Sequence, residues 1–133
     1  MEERRHYFRR LAVALIGVCF GGGAESCELP AGVRVENARV AISYRTIPEK
    51  IEVGKPFVLE LAACPEKGAA ISEPLRLDAR MPEHRHGMNY RVKVVPMADG
   101  RYRSEGWLFH MPGRWEFVFD LGVERLTHSI RID

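Results

Sequence analysis

The sequence predicts an all-β fold, an antiparallel β-sandwich of about seven strands. From Val33 onward, short segments in which apolar and polar residues alternate follow one another, and Gly and Pro residues separate them. Such alternation places the apolar side chains on one face of a strand. No window shows a sustained period of 3.6 residues, so little helix is expected. The intervals between the segments are typical of a sandwich.

Most of the predicted strands carry apolar residues at every second position. Ala98-Asp99-Gly100 and Pro112-Gly113 predict turns, the first of the hairpin type, and Gly106 interrupts its strand as a bulge would. The predicted strands are 39–44, 57–63, 75–81, 90–95, 101–111, 114–121 and 126–132.

Composition and charge place the chain among ordinary globular proteins. Its 133 residues are 46% hydrophobic and 29% charged, and the formal net charge is +2. This length predicts one domain. Because the charge is small and both signs are interspersed, neither a nucleic acid nor a polybasic membrane contact is indicated.

The first 26 residues are predicted to be a secretory signal. Four arginines precede an apolar run at 11–20 and small residues at 21–24, which is the pattern of such a signal. Ala24 and Ser26 suit cleavage before Cys27. The apolar run is about half of the roughly 20 residues that a spanning helix needs. We therefore predict a signal peptide over 1–26, a mature domain over 27–133 without a spanning segment, and a periplasmic or otherwise extracytoplasmic location.

Two cysteines, Cys27 and Cys64, remain after the predicted cleavage removes Cys19. In an oxidising compartment such a pair predicts one disulfide. The alternative is a buried, unpaired Cys64 with Cys27 free or lipidated.

The richest metal-ligand chemistry lies between Met81 and Met88. An extended backbone would point His84, His86 and Met88 to the same side. Imidazole and thioether ligands together favour copper, and the thioether selects Cu(I). The alternative is that both histidines are merely solvated in a polar loop.

A second cluster, His110-Met111, precedes the Pro112-Gly113 turn. His110 is expected to project away from the apolar face of its strand. Met111 is in phase with Trp107 and Phe109, so it is either a ligand or a core residue. Both clusters fall at strand ends, and the order of the strands decides whether they meet.

Other residues with ligand or aromatic chemistry are interpreted as structural. Met81 is in phase with the apolar residues of its strand, so core packing is expected. His128 falls on an apolar face, which predicts a hydrogen-bonded core histidine. Trp107 and Trp115 are expected in the core or at its rim, and Trp115 is close enough to His110 to shield Cu(I) from water.

Enzymatic activity is not expected, because no nucleophilic or phosphate-binding motif is present. One enzymatic alternative remains, a zinc-dependent hydrolase or hydratase. His84, His86 and His110 would bind zinc and leave a position open for water, with Glu83 as the neighbouring base. A third alternative is a metal-free protein-interaction module.

The motifs resemble the YtkA-like family, which is related to FixH-like domains. Residues 78–90 contain an "MP-x-H-x-H" element, and residues 100–102 with 109–116 match a "G-x-Y … F-x-MPG-x-W" element. The resemblance covers roughly residues 51–132. It implies an exported immunoglobulin-like β-sandwich associated with copper handling or respiratory oxidase assembly. The matching positions are Met81, His84, His86, Met111 and Trp115, and His110 and Met88 go beyond the minimal motif.

Together, the residues and the resemblance predict an exported copper-binding protein. Its expected role is that of a Cu(I) chaperone or buffer, supplying a cuproenzyme or an oxidase assembly factor. The predicted copper ligands are His84, His86, Met88, His110 and Met111.

Overall fold

Two antiparallel sheets form the fold in a computed structural model, which describes residue 29 and residues 31–65, 75–122 and 124–133. The predicted signal peptide and Cys27 lie outside the described residues. No helix occurs among the residues that are described. Within them, accordingly, no helix is long and apolar enough to cross a membrane.

The sheets contain five and four strands. Their orders are β1-β2-β3-β7-β6 and β5-β4-β8-β9, and every neighbouring pair is antiparallel. The strands are β1 (Val33–Glu36), β2 (Val40–Ile47), β3 (Pro56–Pro65), β4 (Arg76–Met81), β5 (His86–Gly87), β6 (Lys93–Pro96), β7 (Arg101–Leu108), β8 (Gly113–Asp120) and β9 (Arg125–Ile132).

The predicted all-β sandwich is therefore confirmed, with nine described strands instead of about seven. The seven predicted segments correspond to β2, β3, β4, β6, β7, β8 and β9. The two additional strands are β1, most of whose side chains are exposed, and β5, which has only two residues. The sequence of β1, Val-Arg-Val-Glu, alternates but is only four residues long, and β5 is too short to show any period.

A single hydrophobic core lies between the sheets and is rich in aromatic rings. Trp107, Phe109, Trp115 and Phe117 are almost completely buried in it. The ring of Tyr44, from the five-stranded sheet, meets Phe117 of the other sheet edge-on at a centroid distance of 5.4 Å. Such contacts across the sandwich fix the two sheets against each other.

The predicted hairpin turn joins β6 to β7. Asp99 and Gly100 have φ angles of 59° and 66°, and the Met97 N–H donates a hydrogen bond to the Arg101 carbonyl at 2.7 Å. The Arg101 N–H also donates to the Ala98 carbonyl at 3.3 Å, so two successive left-handed residues close the hairpin.

The predicted bulge lies in β7. Phe57 pairs with Trp107 and Leu59 pairs with Ser104, so three steps along β7 oppose two along β3. The extra residue falls beside Gly106, whose φ is +94°. This confirms the interruption that the sequence indicated.

Antiparallel pairing of β4 with β8 brings the two His/Met clusters to the same end of the sandwich. Arg80 pairs with Glu116, so the end of β4 lies beside the beginning of β8. The turn that follows β4 carries His84, and the connection that precedes β8 carries His110. The strand order thus answers the question that the sequence left open.

Cys64 is buried and disulfide-bonded. Its partner is not among the described residues, so its pairing with Cys27 stays a prediction.

Candidate metal centre

The segment after β4 is a turn and not a continuous extended strand. The His84 N–H donates to the Met81 carbonyl at 3.1 Å, and the Arg85 N–H donates to the Pro82 carbonyl at 3.4 Å. Arg85 is left-handed, with φ of 55°, and proline at the second position of a turn favours this path. The extended backbone on which His84, His86 and Met88 were expected to converge exists only at β5, because the chain reverses before it.

Three imidazoles nevertheless form a row at this end of the sandwich. The ring centroids of His84 and His86 are 5.7 Å apart, and those of His86 and His110 are 5.3 Å apart. His84 and His110 are exposed, whereas His86 between them is half-buried. The row therefore consists of one half-buried ring between two rings at the surface.

The tautomer of His86 follows from its hydrogen bond. Its Nδ1 lies 3.1 Å from the Gly87 carbonyl oxygen, which can only accept, so Nδ1 carries the proton. The lone pair of a neutral ring is then on Nε2. A ring held by its other nitrogen on a backbone carbonyl is the usual arrangement of a metal-binding histidine.

Trp115 forms the inner wall of the cluster. Its ring stacks on Phe109 at 4.3 Å with an interplanar angle of 9°. It meets His110 edge-on at 5.5 Å and His86 at 6.2 Å. The indole Nε1–H donates to the Met111 carbonyl at 3.0 Å. The indole therefore excludes water from one side of the imidazoles, and its hydrogen bond holds the backbone beside His110.

Met81 lies beneath the cluster as a core residue, as the sequence predicted. It is fully buried and pairs in register with His86. A Cβ on Gly113 would lie 2.7 Å from the Met81 Cε. Gly113 also has a φ of +128°, so the start of β8 needs a residue without a side chain.

Met88 and Met111 are both half-buried and pack against the core. Met88 lines a groove beside β4, while Met111 belongs to the connection that Trp115 holds. Both side chains therefore contribute to core packing, and their role as metal ligands stays a prediction.

Glu83, the acid beside the histidines, is paired with Arg114 at 2.9 Å. The hydrogen bond from Arg114, with its positive charge, holds the pKa of Glu83 below its usual value. Reciprocally, Glu83 raises the pKa of Arg114. A carboxylate with a lowered pKa is a weaker base, so this pairing makes Glu83 less suited to activate a zinc-bound water.

Neighbouring rings of the row have nearly the spacing of two ligands on one metal ion. With metal–nitrogen bonds of about 2.0 Å, two imidazoles on a tetrahedral metal have centroids roughly 5 Å apart. As placed, no three His, Cys, Asp or Glu side chains of the described residues converge closely enough to hold a metal ion. The spacing fits each neighbouring pair of ligands, and a site made by all three histidines requires the outer rings of His84 and His110 to close around one ion.

His128 lies away from this row, on β9. Tyr44 Oη and His128 Nδ1 are 2.6 Å apart, so this histidine links the two sheets. The expected hydrogen bond is present, although the ring is half-buried and not fully in the core.

Two parts of the site carried no usable signal in the sequence. The Glu83–Arg114 ion pair and the hydrogen bond from Trp115 to Met111 both depend on how the turn and the β7–β8 connection are placed. The one indication of the second contact in the sequence is that only three residues separate Met111 from Trp115, across Pro112-Gly113.

Comparisons of the chain with protein-family models, with curated proteins and with solved structures found no match.

Proposed function

We propose that this protein binds one copper ion, as Cu(I), at the row of His84, His86 and His110, and that it carries or buffers copper outside the cytoplasm. The observation that supports this proposal most is the placement of three imidazoles from two separate chain segments side by side. His86 is central, and its hydrogen bond to the Gly87 carbonyl leaves Nε2 as the nitrogen with the lone pair. The two exposed rings would have to move for their nitrogens to meet this Nε2 at one copper ion.

The methionines in the same two segments favour copper over zinc. Met88 and Met111 are each within two residues of a histidine of the row, and a thioether is a soft ligand that selects Cu(I). Zinc has no need of a thioether. The pairing of Glu83 with Arg114 removes a base from the zinc-hydrolase alternative.

Exposure of the outer ligands supports transfer or buffering. His84 and His110 are exposed, so an acceptor protein can replace them one at a time. Trp115 closes the opposite side, which limits access by water and oxidants. The extracytoplasmic location depends on residues 1–26, and the link to a cuproenzyme or oxidase assembly depends on the YtkA-like resemblance.

The test is an anaerobic Cu(I) titration of the purified protein against a competing chelator, beside the double variant His84→Ala/His86→Ala. We expect one equivalent that the double variant loses. Equal binding by both proteins would reject this site. A parallel Zn(II) titration addresses the alternative, since stoichiometric zinc with weak Cu(I) binding would favour a zinc protein.

A further inference from the structure

A groove of about 930 Å³ runs beside β4, adjacent to the imidazole row. Apolar side chains from both sheets line its floor, and arginines stand on its rim. The apolar members are Leu75, Leu77, Met88, Val92, Val94 and Val118. An apolar floor with a charged rim is the character of a surface that binds a protein segment.

The outer edge of β4 opens onto this groove. Among the described strands, only β5 pairs with that edge, and it reaches no further than Arg80 and Met81. The Ala79 carbonyl accepts a hydrogen bond from the Met88 N–H on the same side at 3.2 Å. Because alternate residues of an antiparallel strand point to the same neighbour, the backbone N–H and carbonyl of Leu77 also face the groove. The Ala79 N–H is already bonded to Asp78 Oδ1 at 2.8 Å, so Leu77 supplies the main-chain groups to which an added strand would bond on this edge.

The charge around the groove is positive. Its lining includes four arginines and two aspartates. Arg80 pairs with Glu116 and Arg125 pairs with Asp120. Arg76 and Arg91 are exposed and make no direct ion pair with any residue that the structure describes, while Arg76 lies opposite Asp120 in the sheet and attracts its carboxylate. These two guanidinium groups select an occupant with carboxylates.

The groove and the imidazole row are continuous surfaces. Asp78 and Arg80 line the groove and also the shallow depression that contains His86 and Gly87. A segment seated in the groove would therefore end beside His86.

We propose that the groove binds an extended, acidic segment of a partner protein, which adds as a strand to the open edge of β4. Main-chain hydrogen bonds to β4 supply the register, apolar side chains fill the floor, and Glu or Asp side chains meet Arg76 and Arg91. The identity of this partner as the copper acceptor rests on the proposed function, whereas the docking itself requires no metal. Docking here would place the ligands of the acceptor next to the exposed histidines.

The test uses a capped synthetic octapeptide of alternating Glu and Val with the metal-free protein. Amide resonances and peptide fluorescence anisotropy report the site and the affinity. We expect shifts at Leu77, Val92 and Val94, and no binding by the Lys/Val peptide of the same length. The double variant Arg76→Glu/Arg91→Glu should bind the Glu/Val peptide about tenfold more weakly.

The matched control is Lys50→Glu/Arg101→Glu, which changes the net charge equally at exposed positions that do not line the groove. It should bind the peptide within about twofold of the unmodified protein. Circular dichroism of each variant verifies that the fold is retained. His84→Ala/His86→Ala should bind the peptide like the unmodified protein, so failure of docking and failure of copper binding are separate results.

Three results with the peptide would overturn the proposal. They are no binding at about 1 mM peptide, equal binding of the Glu/Val and Lys/Val peptides, and amide shifts that map outside the groove. Binding of phosphatidylglycerol vesicles that requires Arg76 and Arg91, without binding of the peptide, would also overturn it and assign the groove to a lipid surface.

Discussion

The indole nitrogen of Trp115 donates a hydrogen bond to the backbone carbonyl of Met111 at 3.0 Å. The bond connects β8 to the segment that carries His110. Since the same indole meets the rings of both His86 and His110, one buried side chain contacts both halves of the candidate site. The position of His110 relative to β5 therefore depends on this residue.

Replacing Trp115 by Phe should weaken copper binding more than an equivalent change elsewhere in the core. Trp115→Phe keeps an aromatic ring on Phe109 but removes the donor to Met111, at a cost of about 1 kcal/mol in the free energy of unfolding. We expect a severalfold lower Cu(I) affinity in chelator competition, because the backbone beside His110 is less restrained.

Trp107→Phe is the matched control. Trp107 is equally buried, and its Nε1–H donates to Ser104 Oγ at 3.0 Å, away from the imidazoles. The Trp107→Phe variant should lose a similar amount of unfolding free energy and retain the Cu(I) affinity of the unmodified protein. Equal losses of affinity in both variants would show that the Trp115 bond has no special part in the site.

Gly113→Ala should destabilise the protein through the backbone and through Met81. A side chain at φ +128° is strained by roughly 1–3 kcal/mol, and the new Cβ would approach the Met81 Cε at 2.7 Å. The Cε is the flexible end of the Met81 side chain, so this contact adds less than the backbone strain. Urea unfolding measures the sum.

Gly54→Ala is a milder comparison, because its φ of +75° is near the left-handed region that L residues can adopt and no atom lies within 4 Å of the position that its new methyl group would occupy. It should cost less than Gly113→Ala. In a Met81→Ala background the cost of Gly113→Ala should fall, and an unchanged cost would refute the contact with Met81.

Tyr44 should make the protein less stable in alkali. Burial raises the pKa of its phenol well above the ordinary value of 10.0. In the unfolded chain the phenol ionises near pH 10, while in the folded protein it stays protonated. The contribution of Tyr44 to the free energy of unfolding is therefore fully present below pH 10. Above pH 10 it declines by at most about 1.4 kcal/mol per pH unit.

Tyr44→Phe should remove this contribution, so its unfolding free energy should fall less steeply between pH 10 and about 11. At pH 7 the variant also leaves His128 without its partner at 2.6 Å, which costs about 1 kcal/mol. Parallel alkaline slopes for Tyr44→Phe and the unmodified protein would contradict this explanation.

The sequence predicted the strands whose faces differ in polarity. In β4, Leu77, Ala79 and Met81 are buried while Arg76, Asp78 and Arg80 are exposed, which is the alternation that the sequence displays. The strand β5 has two residues and exists because the turn at 82–85 returns the chain to β4. A strand that short has no period to detect.

The candidate site was predictable in its residue types and only partly in its geometry. His84 and His86 are neighbours in sequence, but their approach results from a turn with a left-handed Arg85 and not from strand periodicity. The proximity of His110 to His86 required the pairing of β4 with β8. That pairing is a long-range contact, which local patterns do not specify.

The central claim is that the two chain segments bind one copper ion together. The most direct measurement is the stoichiometry and affinity of Cu(I) in His110→Ala, compared with His128→Ala as a matched control outside the row. We predict one equivalent in the unmodified protein, an affinity lowered by about tenfold or more in His110→Ala, and an unchanged affinity in His128→Ala. Unchanged Cu(I) binding in His110→Ala would contradict the claim.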